Sequence, residues 1–99
     1  MKKEVKCYVW SLSEEKDVEE KPYRLQVNFT DGRQTKKIQK TFEETGWEFS
    51  GQSSGSYQTF VFTKNFKDDK EVKKWSKSVD WPVYYVSRND KETLWNKKS

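Results

Sequence analysis

From residue 22 onward the spacing of apolar side chains switches between period two and helical periodicity, in the order strand, helix, strand, strand, helix, strand. Tyr23, Leu25, Val27 and Phe29 share one parity, and Arg24, Gln26, Asn28 and Thr30 share the other. That alternation predicts a strand over residues 22–30 with one buried and one wet face. Ile38, Phe42 and Thr45 then recur at helical spacing, opposite Arg33, Lys36, Lys37 and Lys40. Thr30 or Asp31 is expected to cap this helix, and Gly46 to stop it in the left-handed conformation. Trp47 and Phe49 open a short strand, residues 51–56 form a Gly/Ser connector, and residues 57–64 return with Phe60 and Phe62 on one parity. Asp68 and Asp69 suit the start of a second helix, because acids favour the positive end of its dipole. Val72, Trp75 and Val79 mark its apolar face, while Lys70, Lys73, Lys74 and Lys77 mark its outer one. Asp80-Trp81-Pro82 ends that helix and Val83–Val86 reads as a further strand.

Residues 4–12 stand apart from this block. Both parities are apolar, Val5, Cys7 and Val9 against Tyr8, Trp10 and Leu12, so a strand covered on both faces or paired at an interface is expected. Residues 13–21 hold five acids against two lysines and read as a solvated loop. The order βαββαβ resembles a ferredoxin-like sandwich, which implies an α+β fold with two helices on one face of an antiparallel sheet. In such a fold residues 4–12 either join at an outer edge or change the strand order. An unpaired apolar strand there invites addition, so a homodimer through this edge is expected. The chain is too short for a second core and reads as one domain over 1–99, with its core in about 4–87 and a polar tail over 88–99.

Composition sharpens this picture in three places. Leu, Ile, Val and Phe supply only 19 residues, near the edge of a disordered composition, yet net charge is just +4. Aromatic residues make up 16% of the chain, and each buried ring removes a large area from water, so an aromatic-rich core is expected. Histidine is absent, which removes the commonest general acid–base and metal-binding side chain. Cys7 is the single cysteine, so neither an intramolecular disulfide nor a cysteine-based zinc site is expected. No apolar run reaches the length of a membrane span or a signal peptide, and a cytoplasmic protein without membrane contact follows as the expectation. The Asn28-Phe29-Thr30 sequon is read as chance on the same grounds.

Chemistry has few candidates. Cys7 sits mid-strand with no activating cation, Asp68-Asp69 is explained by helix capping, and the acids of 14–20 lack a glycine-bent ligand loop. No enzyme activity, metal or cofactor is therefore expected. The Gly/Ser connector leads from strand to strand rather than into a helix, unlike a phosphate-cradling loop. An RNA-recognition domain would display stacking aromatics on its central strands, and that strand signature is missing here; Tyr57, Tyr8, Trp10 and Tyr84 are the only candidate platforms. Two surfaces remain. The lysine ridges, Arg33, Lys36, Lys37, Lys40, Lys70, Lys73, Lys74 and Lys77, could attract phosphates or an acidic partner, with Glu43, Glu44, Asp69 and Glu71 diluting the field. Tyr8, Trp10, Leu94 and Trp95 are candidate protein contacts, Trp being a favoured interface anchor. The expected function is a small non-catalytic binding module, a regulator or inhibitor docking on a protein or nucleoprotein. Nucleic-acid binding through the lysine-rich helix faces is the alternative.

Overall fold

The computed structural model describes residues 5–13, 19–30, 32–54, 58–87, 89 and 91–96. Among these, strands β1 (Val5–Ser11) and β2 (Lys21–Phe29) precede a 3-10 turn at Gly32–Gln34 and helix α1 (Thr35–Glu44). Strands β3 (Glu48–Ser54) and β4 (Gln58–Phe66) lead into α2 (Asp69–Ser76), then β5 (Val83–Val86) and β6 (Glu92–Leu94). The fold is α+β: a mixed six-stranded sheet in the order β3-β4-β2-β1-β5-β6, with two helices.

The position of β1 departs from a simple βαββαβ sandwich, which would seat β5 beside β2. β1 instead pairs antiparallel with β2 (Cys7 opposite Val27, Val9 opposite Leu25) and parallel with β5 (Cys7 opposite Val83). The sheet is therefore mixed rather than antiparallel, and its order differs from the ferredoxin-like pattern. Connectivity supplies the reason. β4 holds one side of β2 in full register, from Lys21 opposite Phe66 to Phe29 opposite Gln58. A strand joined to β2 by a hairpin connection can pair only on the remaining side. The chain returning from α2 then finds β1, not β2, as its partner. Because β1 is paired on both sides, it offers no edge for a dimer; the exposed edges belong to β3 and β6.

One sheet face carries the core. Cys7, Val9, Leu25, Val27, Phe60, Phe62 and Val83 lie side by side across four strands and are almost wholly buried. Ile38 and Phe42 of α1 and Val72 of α2 belong to the same buried cluster, so both helices cover this face. Aromatic rings fill the space between the layers, as the composition predicts. Phe42 meets Phe62 at 5.4 Å and Trp75 at 6.0 Å, and Trp47 meets Trp75 at 5.0 Å and Phe66 at 5.4 Å. Each fully buried ring or branched chain contributes about 1.5–3 kcal/mol by leaving water. Tyr23, also fully buried, donates its phenolic O–H to the Asp69 carboxylate at 2.5 Å and so ties the sheet to the first turn of α2.

The helix ends follow the sequence in part. Asp68 caps α2, its carboxylate accepting the Glu71 N–H at 3.0 Å, and Gly46 stops α1 at φ 97°. The start of α1 differs. The 3-10 turn intervenes, Gln34 takes the cap position without a side-chain cap bond, and Thr30 lies upstream of it, while Asp31 is outside the described residues. The Gly/Ser connector is also shorter than expected, because β3 continues past a bulge at Ser50, with Gly51 opposite Val61 and Ser54 opposite Gln58. The side chain of Tyr57 falls outside the described residues.

The tail folds back. β6 pairs with β5, and the Trp95 N–H continues that pairing to the Val83 carbonyl at 2.9 Å. Trp95 stacks on Tyr85 with ring centroids 4.3 Å apart, and Asn96 is buried beyond it. Asn96 accepts the Val83 N–H at 2.6 Å and donates to the carbonyls of Ser76, Val79 and Trp81 at 2.7, 3.1 and 2.9 Å. One amide thus satisfies the end of α2, the turn after it and the start of β5.

Candidate functional site

The strand pairings fix two ends of the molecule. Val5, Phe29, Gln58, Ser54 and Val83 lie at one end; Ser11, Tyr23, Phe66, Glu48 and Val86 lie toward the other. α1 leaves β2 at the first end and delivers the chain to β3 at the second, whereas α2 runs from β4 at the second end to β5 at the first. The two helices are therefore antiparallel. The Lys37 Nζ, 5.9 Å from the centre of the Trp81 ring just beyond α2, confirms that the first half of α1 adjoins the end of α2.

This arrangement sorts the charges. Arg33, Lys36, Lys37, Lys73, Lys74 and Lys77 gather at the first end, with Lys40 midway along α1 and Lys6 on the neighbouring strand. All of these are exposed, and Asp80 is the one described carboxylate among them. Glu43, Glu44, Asp68, Asp69 and Glu71 gather at the opposite end with Glu19, Glu20, Glu48 and Glu92, and there they outnumber Lys21, Lys64, Lys67, Lys70 and Lys91. The separation is partial: Glu43 and Glu44 lie two turns along α1 from Lys36 and Lys37, but Lys40 pairs with Glu44 at 4.0 Å and Glu71 is within a turn of Lys74. Lys70 is separated from its expected partners, because it sits in the first turn of α2 at the acidic end.

Helix stability explains only half of this segregation. In α2 the acids occupy the first turn and the lysines the last, as the macrodipole favours. α1 is reversed: its first turn has no acid and its last turn has no base. Each misplaced charge near a helix end costs about 0.3–1 kcal/mol at low ionic strength. The basic end is therefore built at some expense to α1, and folding alone does not account for it.

The second surface is the sheet face opposite the helices, which no described element covers. Every described residue of β1, β2, β4 and β5 on that parity is half-buried or exposed. Three rows cross it. Nearest the basic end, Lys6 lies opposite Asn28 and Asn28 opposite Thr59. The middle row runs Leu94, Tyr84, Tyr8, Gln26, Val61, and the third contains Trp10, Arg24 and Thr63, with Val86 on β5. Tyr8 and Tyr84 stack with centroids 5.6 Å apart and planes at 24°. Asn28 Oδ1 accepts from Gln26 Nε2 at 3.2 Å and from Thr59 Oγ1 at 3.0 Å, which orients both amides. The Arg24 Nε–H is enclosed without an acceptor. A groove of about 610 Å³ opens here, lined among others by Tyr8, Trp10, Leu12, Gln26, Asn28 and Val86.

Of the expected protein contacts, Tyr8, Trp10 and Leu94 meet on this face. Trp95 does not, because it lies on the other parity, stacked on Tyr85 and packed against the core. Alternation along β2 sets Arg24, Gln26 and Asn28 on the wet parity but gives them no role. Register supplies the missing signal by setting them beside Tyr8 and Trp10.

The residues considered for chemistry are engaged structurally. Burial holds the Cys7 thiol far above its ordinary pKa, so it stays protonated. Asp68 is engaged in its cap and Asp69 with Tyr23, and among the described residues no cluster of carboxylate and thiol groups forms a metal site. No described helix is long and apolar enough to cross a membrane. Comparison with known proteins yields no match: no family model fits the chain, and no curated protein or solved structure is significantly similar to it.

Proposed function

We propose that this chain is a non-catalytic binding module whose partner is a nucleic acid, held by its phosphates at the basic end of the helix layer. The observation that carries this reading is the reversed charge order of α1. Lysines at the start of a helix oppose its dipole, and here they complete a basic end with the last turn of α2. Such a concentration of cations produces a potential that draws in a polyanion and releases its counterions. The acidic end repels the same ligand, so approach is oriented. Lysine rather than arginine dominates the surface, and point charges suit phosphates more than base edges, where bidentate arginine is the usual reader.

The test is a titration of the full chain against labelled oligonucleotides across a range of salt. With four or five phosphate contacts, log K falls with log salt at a slope of about −3 to −4.5. Lys36→Glu is the informative variant, because an acid in the first turn of α1 suits the dipole and leaves the melting temperature unchanged or raised. With Lys74→Glu added, the slope flattens by about 1.5–2 and affinity at low salt drops at least about tenfold. Absence of binding at low salt removes this reading and returns the aromatic sheet face to a protein partner.

A further inference from the structure

We infer that the nucleic acid is single-stranded and lays unpaired bases on the sheet face that no described element covers, against Tyr8, Tyr84 and Trp10. This deepens the proposed function and rests on the basic end as the phosphate contact. Stacking needs the flat face of a base, which a duplex buries and a single strand exposes. The sheet face offers aromatic rings in adjacent rows: the Tyr8–Tyr84 pair in one, and Trp10 two residues further along β1, about 7 Å away.

Three further features select this ligand. Continuity is the first. Lys6 and Asn28 form the row between the stacked tyrosines and the basic end, so a strand held there by its phosphates reaches the rings directly. Hydrogen bonding is the second. Gln26 and Asn28 are amides with both donors and acceptors, and both line the groove, so its wall can address base edges. The third is a limit. Glu92 stands opposite Val86 at the far side of the groove, and Glu19 and Glu20 follow the same end of the sheet. A polyanion entering over Lys6 is repelled there, so the bound segment is short.

The full chain is titrated by fluorescence anisotropy with a labelled 12-mer of thymidylate and with a duplex of the same length. The single strand is expected to bind at least about tenfold tighter, since each stacked base contributes roughly five- to hundredfold in affinity. Tyr84→Leu and Trp10→Leu keep an apolar side chain but lose the ring; each lowers single-strand affinity about tenfold while duplex binding and the salt slope stay unchanged. Retained duplex binding also shows that the variants are folded. In the wild-type chain, the ring proton resonances of Tyr8 and Tyr84 shift upfield on adding the strand, a readout independent of any variant. Equal affinity for both oligonucleotides, with the tyrosine resonances unmoved, overturns the stacking inference and leaves the phosphate contact standing. Failure of both oligonucleotides to bind at low salt overturns both.

Discussion

Asn96 is the residue whose loss tests the packing of the tail most directly. Its side chain is buried; its oxygen accepts the Val83 N–H, and its two amide hydrogens are shared among the carbonyls of Ser76, Val79 and Trp81. In Asn96→Ala the main-chain groups lose that partner together, while the Ser76 carbonyl still accepts the Val79 N–H at 3.1 Å. An unsatisfied buried polar group costs about 1–3 kcal/mol, and water entering the vacated space recovers part of it, so a net loss of about 3–5 kcal/mol is expected. That is a large share of the roughly 5–15 kcal/mol that stabilises a domain. At about 4–8 °C per kcal/mol for a chain of this size, the melting temperature falls by about 12 °C or more. Circular dichroism at rising temperature, with a urea titration followed by tryptophan fluorescence, measures it. Asn96→Asp sharpens the argument. The carboxylate still accepts from Val83 but faces three carbonyl oxygens without a donor, so its folded-state pKa rises. At neutral pH it is as damaging as alanine. Its deficit narrows as pH falls from neutrality toward about 4, where the folded state takes up the proton before the unfolded chain does and regains a donor. A melting temperature for Asn96→Ala within about 3 °C of wild type would refute the latch.

Two further outcomes follow from buried ionisable groups. Burial, then the hydrogen bond to Asp69, then that carboxylate's charge, raise the Tyr23 pKa well above the ordinary phenol value. The folded state therefore stays protonated where the unfolded chain ionises; stability is complete below about pH 10 and declines above it. Tyr23→Phe costs about 1–2 kcal/mol at neutral pH and flattens that alkaline decline, which equilibrium urea unfolding at pH 7 and pH 11 decides; an unchanged alkaline slope would count against the buried tie. Cys7, raised by burial alone, reacts with a thiol-specific disulfide reagent at least about a hundredfold slower in the native chain than in urea, and comparable rates would show that β1 is not central to the sheet.

The elements were legible because each carries its own periodicity. The alternation of Tyr23, Leu25, Val27 and Phe29 and the helical spacing of Ile38 and Phe42 map directly onto β2 and α1. Strand order was not legible, since it depends on which side of β2 is taken first. The doubly apolar β1 set it apart from the other strands, but its place follows from pairing with β2 on one side and β5 on the other. β6 escaped detection because Glu92–Leu94 is too short and polar for an alternating pattern. Nor does a single Asn at position 96 announce that it will be buried. Its role arises only when α2, β5 and the tail converge.

The functional surfaces show a similar division between residue type and placement. Lysines on the outer face of a helix are what solvation alone would put there, and in sequence Glu43, Glu44, Asp69 and Glu71 seem to neutralise them. Topology changes that sum. Because α1 and α2 run in opposite directions, Lys36 and Lys37 fall beside Lys73, Lys74 and Lys77, and the acids fall together at the far end. The order of charge within α2 carries little information, because the helix dipole would select it anyway. The same residue types in α1 run against the dipole, so they are retained at a cost that the buried contacts of Ile38 and Phe42 can offset. A feature that folding does not favour, placed where it reinforces a second element and leads through Lys6 toward an aromatic face that no described element covers, is the ground on which the proposed nucleic-acid contact rests.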